Sequence, residues 1–135
     1  MLKAESFRSL YRSLWRAGDA SVAHKTRNKL RIRKKIRQAF EDHRAETDQA
    51  VLADLLERGM NTITFLETAS RRRGIEHSIV ENLCAMDFYQ SRYDKQPPFW
   101  NRKLKEHQRK LHDIAGDEYM LALRMVNETL KLSLR

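Results

Sequence analysis

The residues best suited to acid–base or metal chemistry are scattered along this chain. The five histidines are His24, His43, His77, His107 and His112. Only the last two are close in sequence, and a spacing of five residues does not place them on one face of a helix. The sequence contains no HExxH pattern, no glycine-rich phosphate loop and no Ser-His-Asp order. It therefore predicts neither a catalytic site nor a metal site, and we expect the protein not to be an enzyme.

The single cysteine also argues against metal or redox chemistry. With only Cys84 present, the chain can form neither an internal disulfide nor a cysteine-rich zinc or iron–sulfur site. Cys84 stands next to Leu83, with Met86 and Phe88 close behind. This setting predicts a small buried hydrophobic residue rather than a reactive thiol.

Positive charge is concentrated near the start of the chain. The net charge is +9, and residues 1–44 alone contain 13 Lys or Arg against 4 Asp or Glu. Eight cations and no acid lie between Lys25 and Arg37. Because like charges four residues apart on a helix repel, this segment needs packing, a partner, or both. The local excess indicates binding to an acidic partner surface.

The elements that must position these charges are helices. The chain has four Gly and two Pro and is rich in good helix formers, so we predict an all-α protein. Its apolar runs are too short for a transmembrane helix. The first helix is predicted over residues 5–17, ended by Gly18, and the second over residues 21–43, capped by Ser21. Apolar positions of the first helix are Phe7, Leu10, Tyr11 and Leu14, and its cations Arg8, Arg12 and Arg16 form a neighbouring stripe. The buried side of the second is predicted from Leu30, Ile32, Ile36, Ala39 and Phe40.

Four more helices are predicted beyond residue 48. The third covers residues 49–72 behind a cap at Thr47 or Asp48, and Gly59 inside it indicates a close approach. The fourth covers residues 79–92, with Ser78 and Glu81 as a capping box. A linker over residues 93–98 leads to a fifth helix that starts at Pro98. Gly116 then breaks the chain before the last helix. The packing anchors predicted for this region are Phe99 and Trp100, and the seam of the last helix is Tyr119, Leu123, Val126 and Leu130.

One motif gives the sequence a family resemblance. The first helix contains Ser9-Leu10-Tyr11-Arg12-Ser13-Leu14, and the basic second helix ends in Lys34-Lys35-Ile36-Arg37-Gln38-Ala39-Phe40. The third helix contains Leu55-Leu56-Glu57-Arg58-Gly59 and then Phe65-Leu66. In this order the segments resemble the LYR-motif (complex 1 LYR-like) family over about residues 5–73. We therefore predict a three-helix LYR-type bundle over residues 1–73 and a C-terminal helical extension over residues 74–135.

The resemblance implies a partner and a site. Family members bind the mitochondrial acyl carrier protein, whose acyl-4′-phosphopantetheine inserts its acyl chain among the three helices. This chain would then hold no covalent cofactor of its own, since the partner supplies that group. The motif residues Leu10, Tyr11 and Arg12 and the downstream Phe40 are carried over from the family pattern. Among the basic residues of the second helix, we expect Arg33, Lys34 and Arg37 to contact the carrier.

The resemblance also implies a location and a client. Family members act in the mitochondrial matrix as accessory subunits or assembly factors for respiratory complexes, iron–sulfur biogenesis or the mitochondrial ribosome. The extension is the natural client-binding element. The amphipathic start of the chain fits import, and because it contains the motif we expect import without cleavage. The alternative is a basic helical RNA-binding protein of the mitochondrial ribosome, in which the eight clustered cations follow phosphates.

Overall fold

The described part of the protein is entirely helical. The structure is a computed structural model, and it describes residues 4–23, 25–94 and 105–135. Its helices are α1 (Ala4–Ser21), α2 (Thr26–Asp42), α3 (Gln49–Arg71), α4 (Ile75–Asp94) and α5 (Glu106–Leu130). No strand occurs in these ranges, so the all-α prediction is confirmed. Pro98, Phe99 and Trp100 lie outside the described residues. None of the described helices combines the length and apolarity needed to cross a membrane.

Helix α1 is the centre of the packing. It packs against α3 most extensively and also against α2, while α4 packs against α3 and contacts α2. Helices α2 and α3 make few direct contacts with each other. The buried apolar residues form one cluster: Leu10, Leu14, Ala17, Val22, Phe65, Leu66, Ala69, Val80, Leu83, Cys84, Leu123, Leu132 and Leu134. The cluster draws on both predicted segments, and the division at residue 73 stays a prediction.

Gly18 does not end the first helix, so the predicted cap is wrong. Helix α1 continues to Ser21, and no glycine in the described residues has a positive φ. A Cβ atom at Gly18 would lie 2.6 Å from Ile32 Cγ2. The glycine therefore serves a close approach of α1 to α2. Ser21 is likewise not an N-cap, because its hydroxyl donates to the Gly18 carbonyl at 2.7 Å and the N-cap of α2 is Lys25.

The third helix follows the sequence prediction closely. It begins at Gln49, behind the N-cap Asp48, whose carboxylate accepts a hydrogen bond from the Ala50 amide at 2.9 Å. Gly59 is a point of close approach, as predicted, because a Cβ atom there would lie 2.7 Å from Leu10 Cδ2. Gly59 thus lets the Leu10 side chain of α1 pack directly against the backbone of α3.

Two boundaries after residue 73 were predicted wrongly. Helix α4 begins at Ile75, and Ser78 lies inside it with its hydroxyl donating to the Gly74 carbonyl at 3.1 Å. Glu81, the other half of the expected capping box, binds Lys25 instead. Gly116 lies inside the continuous helix α5. A single glycine costs a helix about 1 kcal/mol, which a long helix tolerates.

Most of the predicted apolar positions face the core. In α2, Ile32, Ile36 and Phe40 are partly buried against the core cluster, whereas Leu30 is 58% exposed and was predicted wrongly. The seam of α5 holds for its first three members. Leu123 is buried, Tyr119 and Val126 pack against the cluster, and Leu130 is 54% exposed.

The two glycines at positions 18 and 116 give opposite predictions for replacement by alanine. We expect Gly18→Ala to lower the free energy of unfolding by about 1–2 kcal/mol, because the new methyl group overlaps the stiff, β-branched Ile32. Gly116→Ala is the matched control, since its nearest contact would be Gln90 Oε1 at 3.9 Å. It should raise the free energy of unfolding by up to about 1 kcal/mol. Urea denaturation measures both, and equal effects would contradict the proposed α1–α2 contact.

Candidate functional site

A large apolar cavity lies among the first three helices. Its volume is about 1070 Å³, at the upper end of the range for small-molecule sites. Helices α4 and α5 and residues 132–135 complete its walls. The apolar lining comprises Phe7, Leu10, Leu14, Ile32, Ile36, Ala39, Phe40, Leu52, Leu55, Leu66, Val80, Leu83 and Cys84. Charged side chains complete the lining, and they include Lys35, Glu41, His43, Arg44, Glu46, Arg58, Arg124, Glu128 and Arg135. The apolar part of the wall can accept an apolar ligand.

The helical repeat explains why these side chains converge. Lining positions recur at intervals of three or four residues on α1, α2 and α3, which places each set on one helix face. On α3 the same face contains Gly59 and Thr62, both of which line the cavity. Gly59 admits the Leu10 side chain against the backbone of α3, and Thr62 contributes a hydroxyl group to the wall.

Acids from α1 and α4 pair with half of the cations in the basic segment. Arg33 forms a two-pronged ion pair with Asp19, with nitrogen–oxygen distances of 2.9 and 2.6 Å. The hydrogen bond to Asp19 raises the pKa of Arg33 above its ordinary value. The other pairs are Lys25 with Glu81 at 2.9 Å, and Arg31 and Lys35 with Asp87 at 3.7 and 3.5 Å. These ion pairs offset the repulsion among the cations of the basic segment.

Further cations form an exposed surface on α1 and on the part of α2 after Arg33; Arg27 and Lys29, in the first turn of α2, are not part of it. We call this the cationic surface, and it consists of Arg8, Arg12, Arg16, Lys34 and Arg37. No carboxylate among the described side chains lies within salt-bridge distance of them. The indole of Trp15 links the two helices, because the guanidinium groups of Arg33 and Arg37 lie 5.2 and 6.0 Å from its ring centroid. Cations of both helices therefore occupy neighbouring faces.

A smaller depression joins the cationic surface to the cavity. This vestibule has a volume of about 290 Å³ and is lined by Phe7, Arg8, Tyr11, Arg12 and Phe40. Phe7, Arg8 and Phe40 also line the large cavity, so the two spaces adjoin there. The rings of Tyr11 and Phe40 meet edge to face, with centroids 5.0 Å apart. An elongated ligand that enters between α1 and α2 would pass this aromatic pair.

The predicted site residues fall into three groups. Tyr11, Arg12 and Phe40 come together at the vestibule, and the buried Leu10 lines the cavity. Lys34 and Arg37 are exposed on α2. Arg33 differs from Lys34 and Arg37, because its guanidinium already forms an ion pair with Asp19. The binding roles of all seven residues stay predictions.

Sequence reasoning missed several residues of this region. Trp15 lies four positions after Tyr11, and that spacing alone indicates a shared helix face. Asp87, which pairs with Arg31 and Lys35, was harder to identify, since its only sequence signal is an acid three residues after Cys84, which was predicted to be buried. The segment after α5 gave none, because a short non-helical stretch has no periodicity to detect.

Cys84 lies on the cavity wall as a buried, inert thiol. It is 2% exposed, and desolvation by burial raises the pKa of its thiol to about 11. Neutral pH therefore leaves it protonated, in agreement with the prediction of a small hydrophobic residue. Within the described ranges, no group of three or more His, Cys, Asp or Glu could hold a metal ion.

These features define a class of protein: a helical bundle with an apolar cavity beside a cationic surface. The family model described as complex 1 protein (LYR family) matches residues 6–64. The match supports the predicted resemblance, and the chain carries an LYR-family segment that spans most of α1, all of α2 and most of α3. Proteins of this family are generally mitochondrial, non-catalytic adaptors or assembly factors. Comparisons with curated proteins and with solved structures gave no match.

The raised pKa of Cys84 predicts slow alkylation of the native protein. At pH 8 a thiol with a pKa of about 11 carries about 100-fold less thiolate than one at the ordinary value of 9.0. We expect iodoacetamide to modify the folded protein at least about 100-fold more slowly than the protein in urea, because burial also restricts access. The rate should rise about tenfold per pH unit below the pKa, provided the fold persists. Equal rates in both states, measured by mass spectrometry, would contradict a buried Cys84.

Proposed function

We propose that this protein is a non-enzymatic adaptor of the mitochondrial matrix that binds acyl carrier protein and a client complex. The observation that carries the proposal is that exposed cations lie next to an apolar cavity, whose lining residues Phe7, Arg8 and Phe40 also line the vestibule. An acidic carrier with an acyl-4′-phosphopantetheine arm requires both features within the length of that arm. The family membership of residues 6–64 supports the same function.

The cationic surface would attract and orient the carrier. Exposed cations of one sign increase association rates with an acidic partner and lose effect as salt is added. Arg12, Lys34 and Arg37 are exposed and have no internal ion pair among the described side chains, so they can bind carboxylates without breaking an existing ion pair. Arg33 has a different task, because its ion pair with Asp19 positions α2 against α1.

The cavity would receive the acyl chain. Burying each methylene group in an apolar site contributes about 0.8 kcal/mol, so a chain of several carbons adds substantially to the affinity. The arm would pass through the vestibule alongside the contacting rings of Tyr11 and Phe40, and the chain would then contact Leu10. In this arrangement the acyl group belongs to the carrier, and the adaptor supplies only the space that shields it.

The helices after residue 73 would bind the client. Helix α5 exposes four large apolar side chains at spacings that put them on one face: Leu111, Ile114, Leu121 and Met125. This face is opposite the seam that contacts the core. An exposed apolar row on a helix is typical of protein-binding surfaces. A respiratory complex, the iron–sulfur machinery or the mitochondrial ribosome would supply the complementary surface.

The RNA-binding alternative is weakened by the internal ion pairs. Four of the eight cations between Lys25 and Arg37 already contact carboxylates of α1 and α4. Fewer charges therefore remain to follow a phosphate backbone. The alternative predicts a steep salt dependence of RNA binding together with no affinity for the carrier.

Removing charge from the cationic surface should weaken carrier binding. We expect Arg12→Ala/Arg37→Ala to reduce the affinity for acyl carrier protein at least about tenfold at 0.1 M salt, since each lost contact contributes on the order of 1 kcal/mol. Arg71→Ala/Arg73→Ala is the control, because it removes the same charge from exposed positions at the end of α3 and the α3–α4 connection. Isothermal titration calorimetry with purified acyl carrier protein measures both.

Two results would count against the proposed function. Equal affinities of the two double variants would show that the cationic surface is not the docking site. Binding of RNA with a slope of several phosphates, with no carrier binding by the wild-type protein, would favour the RNA-binding alternative. Circular dichroism spectra of each variant verify that the helices remain intact.

A further inference from the structure

The chain after α5 turns back across the open side of the cavity. Lys131 adopts a left-handed conformation with φ of 50°, which ends α5 and reverses the chain direction. Residues 131–135, which we call the strap, form no helix or strand. Leu132 and Leu134 are only 3% and 7% exposed, and both line the cavity. Two large apolar side chains on a short non-helical segment are therefore directed inwards.

Side chains of α3 hold the first half of the strap. Arg58 donates to the Leu132 carbonyl at 3.2 Å, and the hydroxyl of Thr62 accepts from the Ser133 amide at 3.0 Å. Asn61 donates to the Lys131 carbonyl at 3.1 Å. Side chains of α3 therefore form hydrogen bonds with backbone groups at three consecutive positions of the strap.

Contacts with α5 and α2 hold its second half. The side-chain amide of Asn127 donates a hydrogen bond to the Leu134 carbonyl at 2.7 Å and accepts one from the Leu134 backbone amide at 2.9 Å. Arg135 forms an ion pair with Asp42 near the end of α2, at 2.7 Å. The strap therefore spans from α3 to α2, the two helices that make few contacts with each other.

We propose that the strap is the chain-length determinant of the cavity, with Leu132 and Leu134 forming the wall against which the far part of an acyl chain packs. This inference rests on the proposed function. It concerns residues outside the family-matched segment, so it describes a specificity that residues 6–64 alone do not set.

The polar residues of the cavity support this role for the strap. Arg58, Thr62 and Asn127 line the cavity, where they would be unfavourable neighbours of a hydrocarbon chain. Each of them bonds to the backbone of the strap. The strap satisfies their hydrogen bonds and places leucine side chains beside them. Polar groups on the inner faces of α3 and α5 thereby support an apolar wall.

The test compares carrier forms that differ only in the acyl chain. We would measure the affinity of the protein for carrier with bare 4′-phosphopantetheine and for carrier with C8, C12 and C16 chains. The wild-type protein should gain up to about fourfold in affinity for each methylene that it buries. In Leu132→Ser/Leu134→Ser the binding of bare carrier should be unchanged, while the gain between C8 and C16 should fall at least tenfold. Leu130→Ser, at an exposed leucine, is the matched control and should keep the wild-type gain.

A second variant tests the same wall in the opposite direction. Leu134→Phe adds volume to the cavity side of the strap, so the longest chain should bind less tightly than C12 while bare carrier binds as before. This readout does not depend on loosening the strap and holds even where the double serine variant fails to fold. Thermal unfolding followed by circular dichroism reports on the fold of each variant.

The outcomes separate this inference from the proposed function. Carrier binding with the same chain-length profile in the wild-type protein and in both strap variants would overturn the inference and leave the function standing. Carrier binding that ignores the acyl chain in the wild-type protein would also overturn the inference. No binding of any carrier form by the wild-type protein would overturn both.

Discussion

Ion pairs to carboxylates on α1 and α4 hold the cationic helix α2 in place. No residue of α2 is fully buried, so apolar burial alone does not fix its position. Asp19 holds Arg33, and Asp87 lies between Arg31 and Lys35. An isolated exposed ion pair contributes about 1 kcal/mol or less, but here several pairs share one helix with the cation–aromatic contacts at Trp15 and Phe88. The rest of the site depends on where these pairs put α2.

Two glycines explain why this arrangement leaves a cavity. Gly18 brings α1 close to Ile32 of α2, and Gly59 brings Leu10 of α1 close to α3. Both close approaches involve α1, whereas α2 and α3 make few contacts with each other. The two helices therefore diverge on the side away from α1. That side would be open to solvent if the strap did not cross it and carry Leu132 and Leu134 inwards.

Local patterns in the sequence predicted the helices, and the family resemblance singled out Tyr11, Arg12 and Phe40, which meet at the vestibule. Apolar spacing and caps identified α1 to α4, and the cap predicted at Thr47 or Asp48 located the start of α3, but α5 was predicted as two helices separated at Gly116. The same rules failed at Gly18 and Gly116, because a glycine at a helix contact and a glycine at a helix end look alike in sequence. They also failed at Glu81, whose partner Lys25 lies 56 residues away. The strap escaped prediction since its partners, such as Arg58 and Thr62, are more than 70 residues distant.

The cations between Lys25 and Arg37 divide into those that pair with carboxylates of the protein and those that remain exposed. Glu81 and Asp87 of α4 pair with Lys25, Arg31 and Lys35, so part of the positive charge of the segment is compensated within the protein. Cations without internal ion pairs, such as Lys34 and Arg37, remain exposed on α2, and Arg8 and Arg12 of α1 line the vestibule. Under the proposed function, the exposed cations would determine where the carrier docks, and the apolar side chains of the cavity would favour a partner that brings its own hydrocarbon chain.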